Sequence, residues 1–326
     1  MTAAPIAVYP DHWEADVLLA DGGVAHLRPC GPADAAAIRA MHGRLSAKTL
    51  YLRYFSAVST VSEEKIAIFT DVDYDSRVGL VAELGGEMIA AGTYHRDPVG
   101  DTDAAEAAFL VEDSQQGRGL GSILLEHLAA AAQERGIRRF TAEVLSENTK
   151  MLRVFTDAGY GVHRDYESGV IDLVFDIEPT DESRAVMAAR EHRAEARSIA
   201  RLLAPRSIAV IGASHDPTKL GHIVLENLLR GGFSGPVYPV NPDAVSVQGV
   251  RAYAAVTDIP DPVDLAVVAV PASTVAEVVQ ACRAKDVYGL VVMTAGFADA
   301  GLAGADAEQQ LVALARGAGM RVLGPN

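Results

Sequence analysis

Residues 104–135 read AAEAAFLVEDSQQGRGLGSILLEHLAAAAQER, and the way this stretch folds decides the first half of the chain. Ala104 to Val111 is a run of small and apolar residues of strand length. Leu120 to Arg135 predicts a helix: Leu120, Ile123, Leu124, Leu128 and Ala131 recur at helical spacing, and Gly136 stops it. Between the two lies Gln116-Gly117-Arg118-Gly119-Leu120-Gly121. Glycines here let the backbone take unusual torsions and let a ligand come close. The helix that follows presents unpaired N–H groups and the positive end of its dipole. Strand, glycine turn and helix start together form a site for a pyrophosphate, with Arg118 as a cation beside it.

Outward from this core, short strands and helices alternate. Val24 to Pro29 reads as a strand, and Pro32, Ala33 and Asp34 open an alanine-rich helix. Ser62, with Lys65 three residues on, starts another helix. Arg77 to Leu84 and Met88 to His95 are strands joined at Gly85-Gly86, a hairpin signal. Arg139 to Leu145 is a strand and Asn148 to Ala158 a helix that leaves through Gly159-Tyr160. His163 to Tyr166 and Val170 to Asp176 form a closing hairpin. Residues 1–177 thus make one domain, a mixed-sheet α+β unit. Residues 178–204, rich in Ala, Arg and Glu, read as a helical linker or as a helix docked on one neighbour.

Residues 205–326 make a second domain of a different kind. SIAVIG, PVYPVN, DLAVVAVP, GLVVMTAG and MRVLGPN are strands, separated by helices at Gly221 to Leu229, Ser273 to Ala284 and Glu308 to Arg316. Apolar runs without polar alternation are what a parallel sheet covered on both faces requires. This predicts a Rossmann-like, doubly wound α/β domain. The sequence stops at Asn326 straight after a strand, which reads as truncation of a longer domain.

Composition narrows the function classes. The 326 residues are 49% hydrophobic and 22% charged, enough apolar material for two cores. A net charge of −15 supplies no basic footprint for nucleic acid. Cys30 and Cys282 lie far apart and in no metal-ligand spacing, so neither a disulfide framework nor a metal site is expected, and a cytoplasmic setting fits. Met1 to Pro10 lacks the basic start of a signal peptide, and no run of about 18 apolar residues calls for a membrane.

Gln116, Gly119 and Gly121, placed after a strand and before a helix, resemble the acetyl-CoA pyrophosphate loop of the GNAT acetyltransferases. The segment Asn148 to Tyr160 resembles that family's second cofactor segment, and the order of elements from Val24 to Asp176 resembles the GNAT order. The resemblance implies that acetyl-CoA is the cosubstrate, held by Gln116, Gly117, Arg118, Gly119, Leu120, Gly121 and Ser122. It also gives the pantetheine arm to backbone atoms of Leu110 and Val111, where two strands part, and a further contact to Asn148.

Acetyl transfer needs a neutral amine. A lysine amine, with a pKa of about 10.4, is protonated at neutral pH, so a base must take its proton. Glu106 is the candidate, on the strand before the loop among Ala104, Ala105, Ala107 and Ala108. Bacterial protein lysine acetyltransferases of the GNAT type carry a catalytic glutamate at a similar position. Glu112, Asp113 and His95 are the reserves. Many GNAT enzymes protonate the leaving sulfur with a tyrosine where this chain has Phe155; water or Tyr160 would then serve.

In the second domain IAVIGAS runs into a glycine turn, but Ser214 stands where a dinucleotide fingerprint needs glycine, and the next strand ends in Asn241-Pro242 without a ribose-binding acid. The motifs Gly212-Ala213-Ser214, Lys219, VYPVNP, DLAVVAVPA, TAGF and GPN resemble instead the CoA-binding domain of NDP-forming acyl-CoA synthetases and succinyl-CoA synthetase α chains. That implies contacts to CoA or acyl-CoA from Gly212, Ser214, Lys219 and Asn241. The catalytic histidine and nucleotide domain of such synthetases would fall beyond Asn326, so acyl-CoA synthesis is not expected. The fusion resembles bacterial protein lysine acetyltransferases that modify acyl-CoA synthetases. The alternatives are a GNAT enzyme for small amines and a non-catalytic acyl-CoA-binding module.

Overall fold

The computed structural model describes residues 8–58, 61–96 and 102–325. Met1 to Ala7, part of the stretch read above as lacking a signal peptide, and Asn326 of the GPN motif lie outside them. The chain divides into two compact units, Met1–Ala20 with Ala25–Ala194, and Asp21–Val24 with Glu195–Asn326.

The first unit runs β1 (Ala15–Leu18), β2 (Val24–Pro29), α1 (Ala35–Gly43), α2 (Ala47–Tyr54), α3 (Glu63–Thr70), β3 (Arg77–Leu84), β4 (Glu87–Arg96), β5 (Ala104–Val111), α4 (Leu120–Glu134), β6 (Arg139–Leu145), α5 (Thr149–Thr156), β7 (Val162–Glu167) and β8 (Val170–Asp176). Its sheet has the order β1-β2-β3-β4-β5-β6-β8-β7. The pairing of β5 with β6 is parallel and short: Ala104 opposes Arg139, Ala105 opposes Phe140 and Glu106 opposes Thr141. Beyond that point β5 stays with β4 as far as Val111, and β6 stays with β8 as far as Leu145. The two strands therefore part after Glu106, and Ala107 to Val111 has no ladder partner on that side.

Helix α4 closes one face of this sheet. Leu120, Ile123, Leu124, Leu125 and Leu128 are all buried, as its spacing demands, and share a core with Phe109, Phe140, Phe155 and Phe175. Each such side chain contributes about 1.5–3 kcal/mol by leaving water. On the other face Ile38 and Met41 of α1 and Ile66 and Phe69 of α3 pack on Val81, Ala91 and Leu110. Arg28 fixes the turn between β2 and α1, bonding Asp34 at 2.7 and 3.0 Å and Glu83 at 2.5 and 3.0 Å.

Helix α6 (Asp181–Leu203) spans the division between the units. In the first unit Arg190 bonds Glu126 of α4 at 3.1 Å, and Ser183 lies against Gly159. In the second, Ser198 accepts from Tyr288 Oη at 2.8 Å and from Arg321 Nε at 2.6 Å.

The second unit holds β9 (Ile208–Ile211), α7 (Leu220–Arg230), β10 (Val237–Val240), the ribbon β11 (Ser246–Val247) and β12 (Val250–Arg251), β13 (Leu265–Val268), α8 (Ala272–Ala284), β14 (Gly289–Val292), α9 (Leu302–Gly317) and β15 (Arg321–Leu323). The main sheet, order β10-β9-β13-β14-β15, is parallel throughout. Its central strands β9 and β13 are buried at every position, as their unbroken apolar runs require. Helix α9 starts six residues earlier than Glu308, the start expected from the sequence. Gly304 sits within it because a side chain there would meet the Phe297 carbonyl oxygen at 1.9 Å.

Candidate functional site

The parted strands open a cleft of roughly 240 Å³. Glu106, Ala107, Ala108 and Phe109 of β5 form one wall, and Ala142, Glu143 and Val144 of β6 the other. Asn148, Met151 and Phe155 close it from α5, and Leu52 to Phe55 from the end of α2. The unpaired edge of β5 offers this cleft backbone N–H and C=O groups at strand spacing, the partners an extended, amide-bearing ligand needs.

The glycine turn enters α4 at the end of β5. Gly117 and Gly119 have φ of +81° and +86°, the left-handed region that disfavours a side chain. The first bond of α4 runs from the Ile123 N–H to the Gly119 carbonyl at 3.1 Å, so the amides of Leu120, Gly121 and Ser122 have no helix carbonyl to reach. Gln116 braces the turn. Its Nε2 reaches Thr49 Oγ1 and the Val111 carbonyl at 3.4 Å each, and its Oε1 accepts from Lys150 Nζ at 3.0 Å. The Arg118 carbonyl accepts from the Ala20 amide at 2.8 Å, and its guanidinium bonds Gln115. An anion at this turn would meet three amides that have no helix carbonyl to bond, with Lys150 and Arg118 close by.

Of the four candidate bases, Glu106 alone lines the cleft. It is exposed to the cleft and makes no side-chain hydrogen bond among the described residues. The reserves are engaged elsewhere. Glu112 accepts from Arg44 at 3.0 Å and Ser114 at 3.0 Å. Asp113 accepts from the Ser46 amide and hydroxyl and from Thr49 at 2.7–2.8 Å. Burial alone would raise its pKa, but these donors hold it below the ordinary carboxylate value. His95 opposes Glu106 across the β4–β5 pair, but its Nε2 lies 3.1 Å from the Ile68 carbonyl.

Asn148 caps α5 by accepting the Met151 N–H at 3.2 Å, and it lines the cleft. Leu110 is buried and Val111 half-buried; neither lines the cleft itself, and the unpaired edge of β5 runs on from the cleft wall through them to the glycine turn. Phe155 is buried between Phe109 and Phe175, at 5.7 and 5.5 Å between ring centroids. Tyr160, expected as a stand-in proton donor, is stacked on Phe175 and is not part of the cleft wall. Burial also pushes its pKa up.

Sequence reasoning missed α2. Arg53 lines the cleft with its Nε buried and without a hydrogen-bond partner among the described residues. Desolvation holds its pKa below the ordinary arginine value, opposed first by Tyr54 and then by the charge of Glu106. Tyr54, next to it, is 2.8 Å from His42 Nε2. Only one buried residue, Leu50, marks this helix, so its periodicity gives little signal.

In the second unit Gly212, Ser214, Lys219 and Asn241 gather at the carboxyl end of β9, where the chain passes from one neighbour, β10, to the other, β13. Gly212 has φ +91°, and Asn241 Nδ2 donates to the Ala213 carbonyl at 2.6 Å. Ser214 Oγ accepts the Asp216 N–H at 3.1 Å, and its carbonyl lies 2.9 Å from His222 Nδ1. Lys219 is exposed at the start of α7. A switch point of an open parallel sheet, at a helix start, is where such domains take phosphorylated ligands.

Each of the two units is similar to known proteins. Residues 45–160 match the Acetyltransferase (GNAT) family and residues 206–326 the CoA binding domain. The structure is similar to that of the GNAT domain of S. lividans PAT, at 48% identity over 52% of this chain and 99% of that one, with a TM-score of 0.50. Acetyltransferase Pat of Mycolicibacterium smegmatis is 34% identical over 160 residues, 48% of this chain and 46% of that protein. The second unit is 49% identical over 122 residues to the alpha subunit of an ADP-forming acetate–CoA ligase of Pyrococcus furiosus, 37% of this chain and 26% of the subunit. The chain spans about a quarter to about half of the length of these curated relatives.

Proposed function

We propose, from the premise that this chain joins an N-acetyltransferase domain of the GNAT family to a CoA-binding domain like that of ADP-forming acyl-CoA ligases, that it is an acetyl-CoA-dependent protein lysine N-acetyltransferase. The observation that carries this reading is the parting of β5 from β6 directly after Glu106, beside a glycine turn that opens α4. Bound acetyl-CoA would supply the acetyl thioester. The amides of Leu120, Gly121 and Ser122, with Gln116, Gly117, Arg118 and Gly119, would hold its diphosphate, and the free edge at Leu110 and Val111 and the side chain of Asn148 would orient the arm.

Glu106 then acts as the base. Its carboxylate takes a proton from the acceptor ammonium, and the freed nitrogen pair forms the new C–N bond. Such a base contributes about a hundredfold to ten-thousandfold. A backbone N–H near Val111 donates to the carbonyl oxygen as charge builds on it. As the C–S bond breaks, the nitrogen gives its second proton to water and water protonates the leaving sulfur, since Phe155 offers no proton.

The protein acceptor is the finer part of the reading. Its support is the likeness to Pat and to the PAT domain, and an acyl-CoA synthetase is the acceptor class it favours. A cytoplasmic setting belongs to the same reading and accords with two buried, free cysteines. Among the described residues no helix is long and apolar enough to cross a membrane. In the second unit Gly212, Ser214, Lys219 and Asn241 would bind CoA or acyl-CoA and tune the first.

Incubation with labelled acetyl-CoA, purified acyl-CoA synthetases and a panel of free amines tests the assignment. Label on protein lysines is the expected outcome; label on free amines alone would overturn the protein-acceptor reading. Titration of CoA into the second unit tests the regulatory part, which ends if no binding is seen.

A further inference from the structure

Arg53 stands in the wall of the cleft with no side-chain hydrogen bond among the described residues. It lies in the last turn of α2 and shares the cleft with Glu106 and Glu143. Its Nε is buried, and among the described residues it has no hydrogen-bond partner. Its guanidinium carbon sits 5.4 Å from the Tyr54 ring centroid and 5.9 Å from that of Phe69. Aromatic faces compensate a desolvated cation only in part. A folded protein has little use for such a group unless its charge acts on something that enters the cleft.

What enters, on the transferase reading above, is an ammonium that must become an amine. Two carboxylates, Glu106 and Glu143, are exposed at the cleft, whereas Arg53 is half-buried. The carboxylates draw the cation in. A fixed positive charge beside it then favours the neutral form, because like charges raise the cost of protonation. We propose that Arg53 is the residue that disfavours the protonated acceptor amine inside the cleft, so that the ammonium gives its proton up to Glu106, which the same positive charge readies to pass it on to water. This inference rests on the assignment of acetyl transfer to this site.

The surrounding groups are consistent with that part. Glu106 on β5 and Glu143 on β6 are the carboxylates that share the cleft with Arg53. Tyr54 on α2 is bonded to His42 of α1, whose burial favours the neutral imidazole. Lys65 of α3 lies over the Tyr54 ring at 4.9 Å, and His95 of β4 opposes Glu106. Among the described residues, Arg53 is thus the arginine or lysine in the cleft wall itself.

The test uses the full chain with saturating labelled acetyl-CoA and an acyl-CoA synthetase or poly-L-lysine as acceptor, from pH 6 to 10. In Arg53→Met, kcat/KM for the acceptor should fall about tenfold at pH 7 and recover toward pH 9–10, a displacement of about one pH unit. Arg53→Lys should keep the original profile, and KM for acetyl-CoA should stay within twofold in both. An acceptor carrying thialysine, whose amine is less basic, should lose less activity on Arg53→Met than one carrying lysine. An equal loss at every pH, or equal losses on the two acceptors, would overturn the proposal and leave the transferase assignment standing. Absence of transfer by the unaltered chain to any acceptor would remove that assignment, and this inference with it.

Discussion

Two glycines at opposite ends of α4 allow the phosphate turn to be tested against its own control. Gly119 (φ +86°) precedes the helix and Gly136 (φ +77°) follows it. A methyl group on Gly136 would meet no atom within 4 Å, and one on Gly119 would meet only Ala20, at 3.8 Å and beyond. Alanine at either position therefore has room in the protein and suffers mainly the left-handed torsion, about 1–2 kcal/mol. For a unit of this size that lowers Tm by about 2–8 °C, by a similar amount in both variants. Ligand binding should separate them. On the proposed binding mode, a methyl group at Gly119 would crowd the diphosphate at the helix start. Losing one charge-assisted hydrogen bond costs about 1.5–3 kcal/mol, roughly a tenfold to hundredfold loss in acetyl-CoA affinity. Gly136→Ala should bind as the unaltered chain does. Scanning calorimetry gives the first quantity and isothermal titration the second. If Gly119→Ala melts like Gly136→Ala and binds acetyl-CoA equally well, the turn does not hold the diphosphate.

Glu106→Gln should slow transfer about a hundredfold to ten-thousandfold with KM for acetyl-CoA nearly unchanged, measured by steady-state kinetics; full activity would remove Glu106 as the base. Burial raises the pKa of Asp34, but Arg28 and the Gly31 amide outweigh it and leave the value below the ordinary carboxylate range. The folded unit then binds fewer protons here than the unfolded chain, so this stability is present above about pH 4 and is lost as pH falls through the lower folded value. Melting temperatures from pH 5 to pH 2 should show that loss, and Asp34→Asn should flatten it. In the second unit a methyl group on Gly221 would lie 1.9 Å from the Gly212 carbonyl oxygen. Gly221→Ala should therefore cost about 3 kcal/mol or more and abolish CoA binding there, with KM for acetyl-CoA in the first unit unchanged.

Most of the architecture is legible because its elements carry strong periods. The leucines of α4, the hairpin at Gly85-Gly86 and the unbroken apolar runs of β9 and β13 each admit one reading. What escaped lacked such a period. Strand β1 has only four residues, and α2 buries a single leucine. At the site, Gln116, the glycine turn and Asn148 stand out as local patterns. Arg53, Glu143 and Lys150 do not, because their meaning comes from strand register and helix placement. Nothing local distinguishes Glu143 from any exposed strand glutamate until β6 is seen to leave β5 beside it. The same holds for the reserves: their spacing allowed Glu112 and Asp113, and only their bonds to Arg44, Ser46 and Thr49 remove them.

The early parting of two parallel neighbours has a bearing on donor choice. From Ala107 onward, the main-chain groups of β5 that face away from β4 stay open for a guest that lies flat and carries amides of its own, as a peptide or pantetheine does. Acetyl phosphate or a short alkyl thioester has the reactive carbonyl but no such handle, and would leave those groups to water. Discrimination among activated acetates in this fold is thus written into main-chain geometry that side-chain substitution leaves in place.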